Sequence, residues 1–254
     1  VDQLQCINND EQDTRRSDRP GLDDNYRLTV DLDAGGTRVW NNGAGFRPIG
    51  GFNERFTGTL DGNNHTISGL TIDRGPFELT PARVGLFRFT GSNAEIEDIT
   101  LRNIDIDAGS NTGGVVANNN GKLTNVSASG SIIGTSDVGG VVGFNSGKVT
   151  NVSASGNVTG EVNVAGVVGY NDGEVTNASV NISTDTRVVK GVGVTPGSSD
   201  IEGAGGLVGN NDGTISNSRV VGIIITGENE VGGLVGSNFG EIQRSYASTG
   251  IDAN

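Results

Sequence analysis

The sequence predicts an all-β protein folded as a right-handed parallel β-helix, a β-solenoid of about six 26-residue coils with an N-terminal capping leader. Three observations predict this fold. Glycine-rich segments recur from residue 113 onwards at a regular interval of about 26 residues. Between them, apolar residues alternate at strand spacing, and Gly or Asn-Gly pairs recur too often for helices. The 254 residues include 43 Gly and are only 33% hydrophobic, which favours a thin, repetitive core over one bulky core.

The repeat spacing is read from equivalent glycines. The step from Gly114 to Gly140 equals the step from Gly140 to Gly166, whereas the next step, from Gly166 to Gly206, is longer. A fixed period of this length is typical of a solenoid, in which each coil buries its apolar side against its neighbours. The longer step predicts that one coil contains an inserted loop.

Two regions follow from this alignment. Residues 1–83 form a leader that caps the solenoid and contains an acidic insertion at 10–24. Residues 84–254 form the repeats, beginning with a degenerate copy and including the inserted loop at 185–202.

Each coil is predicted to contain three short strands. The first is Gly-Leu/Val-Val-Gly, the second Val/Ile-x-Asn-x-x-Ala, and the third lies near Ile132, Val158 or Ile223. Parallel strands stack about 4.8 Å apart, so equivalent residues of successive coils form ladders. Two inward apolar ladders are expected, Val115, Val141, Val167, Leu207 and Leu234, and Leu123, Val149, Val175, Ile215 and Ile242.

Polar ladders are predicted at the turns. One row of glycines is expected to supply the positive φ of the turn: Gly121, Gly147, Gly173, Gly213 and Gly240. Stacked amides at a neighbouring position would bond to one another and to the turn backbone: Asn119, Asn145, Asn171, Asn211 and Asn238. A second asparagine row, also interpreted as inward and structural, is Asn125, Asn151, Asn177 and Asn217.

Several asparagines begin Asn-x-Ser/Thr sequons, so the sequence also allows N-glycosylation in an exported protein. They are Asn64, Asn125, Asn151, Asn157, Asn177 and Asn181. An inward side chain cannot carry a sugar. Asn64 and Asn157, which stand outside the ladders, are therefore the predicted acceptors.

The repeat pattern resembles a known motif. Residues 205–218 read GGLVGNNDGTISNS, and 232–245 keep the pattern in part. This pattern resembles the GLUG-motif repeats of large bacterial and archaeal surface proteins, and the segments at 45–50, 56–72 and 84–87 are similar to the leader that precedes such repeats. The resemblance implies an adhesin-like, cell-surface β-solenoid. It implies no particular activity, because such repeats occur in adhesins, protease stalks and uncharacterised exported proteins.

Charge excludes some partners. With 30 acidic against 17 basic residues and a net charge of -13, the surface repels nucleic acid and anionic membranes. The three lysines, Lys122, Lys148 and Lys190, are few, which is typical of halophilic proteins, although an ordinary acidic secreted protein remains an alternative. No apolar run approaches the roughly 20 residues that span a bilayer, so membrane insertion is not expected. The chain is interpreted as a piece of a longer polypeptide.

Few residues offer catalytic chemistry. His65 lies near Asp61 in the leader and is interpreted as making a capping hydrogen bond. Cys6, the single cysteine, follows a strand-like pattern and is expected to be a buried, inert thiol. No catalytic residue and no metal ligand is therefore assigned.

Clusters of acidic residues leave a bound calcium ion as an alternative. The candidates are Asp31, Asp33 and Asp61 in the leader and Asp98, Asp105 and Asp107 near the first coil, while Asp172 and Asp212 follow turn asparagines. Calcium requires six or more converging oxygens. No cofactor is expected, with a structural calcium ion as the open alternative.

The predicted function is a non-catalytic extracellular scaffold or adhesion module, a stiff stalk or binding segment of a larger surface protein. One alternative is a carbohydrate-active enzyme, a lyase or glycosidase using a carboxylate cleft with Arg88 or Arg102. Another is a subunit of a viral fibre or cell-surface filament, which would place it on a virion surface. Expected partners are neighbouring domains of the same polypeptide, surface glycans or other surface proteins, and a second copy paired through the solenoid ends.

Overall fold

The computed structural model describes residues 2–8, 21–75, 83–181, 188–191, 203–227 and 230–253. They form a β-solenoid built from three sheets, and the pairings between its strands are parallel. An isolated antiparallel bridge joins Gly45 to Ile72. Among the described residues, no helix is long and apolar enough to cross a membrane.

Strand bounds follow the three sheets. The largest, with 15 strands, contains Asn25–Arg27, Leu32–Asp33, Thr59–Asp61, Thr66–Ser68, Thr71–Asp73, Glu95–Asp107, Lys122–Ile133, Lys148–Gly160, Glu174–Thr176, Ser179–Asn181, Val188–Gly191, Thr214–Ser216, Arg219–Gly227, Glu241–Gln243 and Tyr246–Ala253. The six-stranded sheet contains Phe87–Phe89, Val116–Asn119, Val142–Asn145, Val168–Asn171, Val208–Asn211 and Val235–Asn238. The five-stranded sheet contains Thr112–Gly113, Ser136–Gly139, Val162–Ala165, Ala204–Gly205 and Val231–Gly232.

Helical segments, among the described residues, are confined to the N-terminal region. A short α-helix covers Asp2–Gln5 and a 3₁₀ turn covers Cys6–Asn8. A 3₁₀ segment, Gly35–Gly43, is broken by a kink at Trp40 to Asn42. These segments add little regular structure, and the strands define the architecture.

The pairing register reproduces the sequence period. Leu123 pairs with Val149, its equivalent one period later, and Val175 pairs with Ile215 across the longer step. Part of the predicted loop at 185–202 is not a loop, since Val188–Gly191 is a strand that pairs with 158–160 and with Arg219–Gly227. The rest of that loop, and residues 10–20 of the acidic insertion, lie outside the described residues.

The strands of a coil differ from the predicted three. In the coils with Lys122–Ile133 and Lys148–Gly160 the second and third merge into one long strand, whereas later coils keep separate segments such as Glu174–Thr176 and Ser179–Asn181. The strand Lys148–Gly160 passes through left-handed Asn151 (φ 53°) and through Gly156 (φ 127°). A further strand, Ser136–Gly139, was not predicted and belongs with its equivalents to the five-stranded stack. Ile225, rather than Ile223, pairs in register with the third-strand positions.

The core changes character along the solenoid. Bulky side chains such as Phe46, Phe56 and Phe87 fill the N-terminal part, and valines fill the repeats. The two predicted apolar ladders are fully buried except for their last members: Leu234 is half-buried and Ile242 is 37% exposed. Ile242 lies on the last strand of its row, where the described residues place no further strand against it.

Candidate functional site: polar ladders of the solenoid

A buried row of asparagine amides, the inner ladder, ends the strands of the six-stranded sheet. Each Nδ2 donates to the Oδ1 of the next member, at 2.8, 2.8, 2.7 and 2.7 Å along Asn119, Asn145, Asn171, Asn211 and Asn238. The hydroxyl of Thr90 begins the row by donating to Asn119 at 2.8 Å. The first four asparagines are fully buried. The row therefore links successive coils without a break.

Each inner amide also closes its own turn. The Oδ1 of Asn145 accepts the Gly147 N–H at 3.2 Å, and its Nδ2 donates to the Gly147 carbonyl at 3.3 Å. Together with the two ladder bonds, these contacts use both donors and both acceptor sites of the amide. A buried amide without such partners would be strongly destabilising.

The turn glycines are required for a different reason from the predicted one. Gly121, Gly147, Gly173, Gly213 and Gly240 do not have positive φ. A Cβ on Gly147 would lie 2.1 Å from the carbonyl oxygen of Gly121 in the preceding coil. That oxygen accepts the Lys148 N–H at 2.9 Å, so it cannot move away freely. Close stacking of the coils, and not backbone handedness, selects glycine here.

The left-handed positions belong to the second asparagine row, the outer ladder. Asn125, Asn151, Asn177 and Asn217 have φ between 51° and 55° and are exposed, so the expectation that they face inward is wrong. Asparagine tolerates this conformation better than most residues. The amides of Asn177, Asn151 and Asn125 donate in sequence, and the last reaches Asp98 Oδ1 at 2.7 Å.

His65 makes a contact with a different aspartate from the predicted one. Its Nδ1 lies 3.0 Å from Asp31 Oδ1, whereas Asp61 pairs with Arg27 at 3.1 Å. The backbone N–H of Thr66 also donates to Asp31, and this bond together with His65 lowers the pKa of Asp31. The pair joins two segments of the leader, and its role in capping the solenoid stays a prediction.

Cys6 is exposed and lies in a 3₁₀ turn, so the prediction of a buried strand thiol is wrong. The reason is the helical spacing of this segment, which buries Leu4 and Ile7 instead.

The acidic candidates remain dispersed. Among the described residues, no three His, Cys, Asp or Glu side chains converge as a metal site would require. Asp107 has a raised pKa, caused first by burial and then by Asp73 and Asp105. Asp172 and Asp212 are exposed, and the Tyr170 hydroxyl donates to Asp212, a contact that raises the pKa of Tyr170 to about 12.

The predicted glycan acceptors are accessible. Asn64 and Asn157 are both exposed. Among the side-chain hydrogen bonds of the described residues, none involves either amide, in contrast to Asn125 and Asn151 of the outer ladder. Their use as acceptors stays a prediction.

Comparison with known proteins adds three findings. The family model of the GLUG motif matches residues 134–159. Halomucin of Haloquadratum walsbyi (strain DSM 16790 / HBSQ001) is 37% identical over 115 residues, which are 43% of this chain but 1% of Halomucin. The crystal structure of a putative immunoglobulin A1 protease from Bacteroides ovatus superposes with a TM-score of 0.60 and 18% identity, covering 91% of this chain and 70% of that one.

Each of these comparisons supports a different conclusion. At 18% identity the Bacteroides structure shows the fold alone. The chain spans only a small fraction of Halomucin, so the similarity covers a segment of that protein. The motif match lies on the coil that contains Ser136–Gly139, Val142–Asn145 and the long strand Lys148–Gly160. The chain therefore carries the GLUG motif, set in a parallel β-solenoid.

Proposed function

We propose that this chain is a non-catalytic extracellular module, a stiff solenoid segment that holds binding surfaces or neighbouring domains of a larger surface protein. The observation that carries the proposal is the inner ladder, which runs unbroken from Thr90 to Asn238. Each coil is hydrogen-bonded to the next through buried amides, and such a column resists bending and separation of the coils. A rigid column is better suited to holding other domains in place than to catalysing a reaction.

The surface location is supported by composition and by similarity. The net charge of -13 with only three lysines suits a protein kept hydrated in strong salt. The GLUG motif and the similarity to Halomucin of Haloquadratum walsbyi point in the same direction. The comparisons give no support to a virion surface.

Neighbouring segments of the same polypeptide are the proposed partners at the solenoid ends. The last strands leave Ile242, Tyr246 and Ile251 exposed by 37%, 56% and 52%. Apolar strand surface of this kind is suited to a further coil or to a second copy.

Two experiments test the proposal. Polysaccharides of several charge classes and immunoglobulin A1 are incubated with the purified chain at low and multimolar salt, with release of reducing ends and peptide fragments as readouts. We expect no product above the buffer control, and any product that accumulates with protein concentration overturns the non-catalytic role. Antibodies against the chain should label intact cells of its source organism, and labelling only after lysis would overturn the surface location.

Stiffness is tested separately by pulling tandem copies in a force microscope. N145A removes one rung of the inner ladder, and N151A removes one rung of the outer ladder as the matched control. The unfolding force should fall for N145A and stay near wild type for N151A. Equal forces for all three proteins would contradict the role given to the inner ladder.

A further inference from the structure

A group of arginines and phenylalanines lies beside the strand Phe87–Phe89, away from the polar ladders. The Cζ of Arg55 is 5.8 Å from the ring centroids of both Phe52 and Phe89, and the Cζ of Arg83 is 5.5 Å from that of Phe89. The two rings meet edge to face, with centroids 5.7 Å apart. We call Phe52, Arg55, Arg83 and Phe89 the arginine–phenylalanine cluster.

The backbone holds this cluster in place. The loop that carries Phe52 and Arg55 is fixed at both ends to the neighbouring strand. On one side the Arg88 N–H donates to the Ile49 carbonyl at 2.7 Å, and on the other the Phe56 N–H donates to the Phe89 carbonyl at 3.0 Å. The backbone that carries Phe52 and Arg55 is therefore held beside Phe89, which lowers the entropic cost of binding.

The cations of the cluster form no ion pair with the described carboxylates. In the part of the chain that the structure describes, the ion pairs lie elsewhere: Arg27–Asp61, His65–Asp31, Lys122–Glu95 and Lys148–Glu174. The Nε atom of Arg83 is buried and, among the described residues, has no hydrogen-bond partner. Burial raises the pKa of Asp137, although the hydrogen bond from Asn163 and the charge of Arg83 act in the opposite direction. In a chain with 30 acidic and 17 basic residues, two neighbouring arginines, Arg55 and Arg83, left without an ion pair among the described side chains indicate an external anion.

The surroundings of the cluster restrict the kind of anion. Phe52 is 65% exposed and offers an apolar ring surface. Next to it, an open cavity of about 590 Å³ is lined by Arg55 together with Asp23, Asn53 and Glu54. Carboxylate and amide oxygens accept hydrogen bonds from hydroxyl groups. An acidic peptide has no ring hydroxyls to donate to these oxygens, so the lining favours an anion that also bears hydroxyl groups.

We propose that the arginine–phenylalanine cluster binds a carboxylate-bearing saccharide. The guanidinium groups would bind the carboxylate, which matches their planar donor geometry. Phe52 would pack against the apolar face of the sugar ring, and Asp23 and Glu54 would accept bonds from its hydroxyls. This inference deepens the proposed adhesion role and rests on it, since the saccharide is bound and not cleaved.

The experiment is calorimetric titration of the full chain with oligogalacturonate, and with its methyl ester as the uncharged control. R55Q and F52A test the cluster. R219Q is the matched control, because Arg219 is exposed on a distant strand and the substitution removes the same charge. Circular dichroism verifies that each variant is folded, and the titrations are repeated at 0.2 M and 2 M KCl.

We expect oligogalacturonate to bind and its methyl ester to bind at least about tenfold more weakly, since the ester has no charge for the guanidinium groups. R55Q should weaken binding by about fivefold or more and F52A by about threefold, while R219Q stays within about twofold of wild type. Higher salt should weaken binding, since the site is partly exposed.

Three outcomes would overturn the site: no binding in either salt, equal binding of acid and ester, or equal weakening by R219Q and R55Q. Tighter binding of oligoglutamate than of oligogalacturonate would overturn the saccharide assignment. Cleavage of the oligosaccharide during the titration would instead overturn the non-catalytic function, with binding by the cluster still measured through R55Q and F52A.

Discussion

The inner and outer ladders contain the same residue type at the same spacing, yet they differ in burial, backbone conformation and hydrogen bonding. Inner amides such as Asn145 are fully buried and use all their hydrogen-bonding capacity. Outer amides such as Asn151 are exposed, adopt φ 53°, and can exchange their ladder bonds for water. Periodicity thus identifies stacked positions but does not reveal which stack supports the fold.

The difference should appear first in stability. Burial makes an unmade hydrogen bond expensive, whereas solvent replaces it at an exposed position. At the outer ladder, the left-handed backbone supplies a second reason for asparagine that does not involve the amide stack. The predictions below separate these contributions, beginning with the largest effect.

Removing an inner rung should cost the most. N145A leaves the Nδ2 of Asn119, the Oδ1 of Asn171 and the N–H of Gly147 without their partner. Several buried groups lose a bond at once, so we expect a loss of about 3 kcal/mol or more in the free energy of unfolding. Urea unfolding followed by circular dichroism measures it. A loss below about 1 kcal/mol would mean that water replaces the amide, and the contrast between the ladders would disappear.

Crowding the stacked turns should be the next largest effect. G147A places a Cβ 2.1 Å from the Gly121 carbonyl oxygen, so two hydrogen-bonded coils must separate locally. We expect a cost of about 2 to 3 kcal/mol, the range of an overpacked interior. G36A is the control, because nothing lies within 4 Å of a Cβ built on Gly36. If both substitutions cost the same, stacking does not select glycine at position 147.

At the outer ladder, backbone and amide can be separated. N151G and N151A both remove the amide bonds to Asn125 and Asn177, but only alanine must strain at φ 53°. We expect N151A to be less stable than N151G by about 1 kcal/mol, with both less damaging than N145A. The same urea titration measures the difference. An alanine variant as stable as the glycine variant would show that the amide stack, and not the backbone, selects asparagine there.

Much of the fold could be predicted because one period fixes several ladders together. The pairing of Leu123 with Val149 and the burial of Val141 follow from the spacing alone. Contacts between residues that share no repeat could not be predicted. His65 has aspartates nearby in sequence, but the closure of the leader coil brings Asp31 to it across 34 positions.

The polar ladders and the arginine–phenylalanine cluster differ in the same way, since only the ladders follow the repeat. Asn119 and Asn145 could be predicted to stack, because stacking is a property of the repeat. The arginine–phenylalanine cluster could not, since Arg55 and Arg83 lie outside the strands and their contacts with Phe89 do not follow the repeat. Even within the repeats, the sequence does not distinguish a glycine needed for φ from one needed for close approach, as Gly147 demonstrates.

Paired aspartates repel each other, whereas the paired amides of a ladder bond to each other. Asp73 and Asp107 occupy paired positions, and burial together with Asp73 and Asp105 raises the pKa of Asp107 above its ordinary 3.8. A raised carboxyl pKa means that the charged form destabilises the fold at neutral pH, and that this cost disappears as pH falls through the folded pKa towards 3.8. D107N should therefore stabilise the protein at pH 7, by less than about 1 kcal/mol because the site is partly exposed and screened.

The gain from D107N should vanish at acidic pH and shrink in 2 M salt, where charge repulsion is screened within a few ångströms. Thermal unfolding at pH 7 and pH 3, each at low and high salt, measures all four conditions. D33N is the control, because Asp33 is exposed and an asparagine there can still accept the Gly35 N–H that bonds to Asp33 Oδ1 at 2.9 Å. A D107N gain that persists unchanged at pH 3 would assign the effect to packing rather than charge.

The smallest effect concerns asparagines outside both ladders. Asn157 and Asn64 are exposed, and the described side-chain hydrogen bonds do not involve them, so a glycan there displaces no contact. A glycan on Asn151 would displace two amide bonds and crowd its neighbours in the stack.

Expressed in a host that glycosylates Asn-x-Ser/Thr sites, the chain should therefore carry sugar at Asn157 and Asn64 in preference to Asn151, as measured by mass spectrometry of tryptic peptides. N157Q should remove one glycan and change the free energy of unfolding by less than about 0.5 kcal/mol. Equal glycan occupancy of Asn151 would show that the outer ladder opens readily. The outer ladder would then contribute little to the stability of the fold.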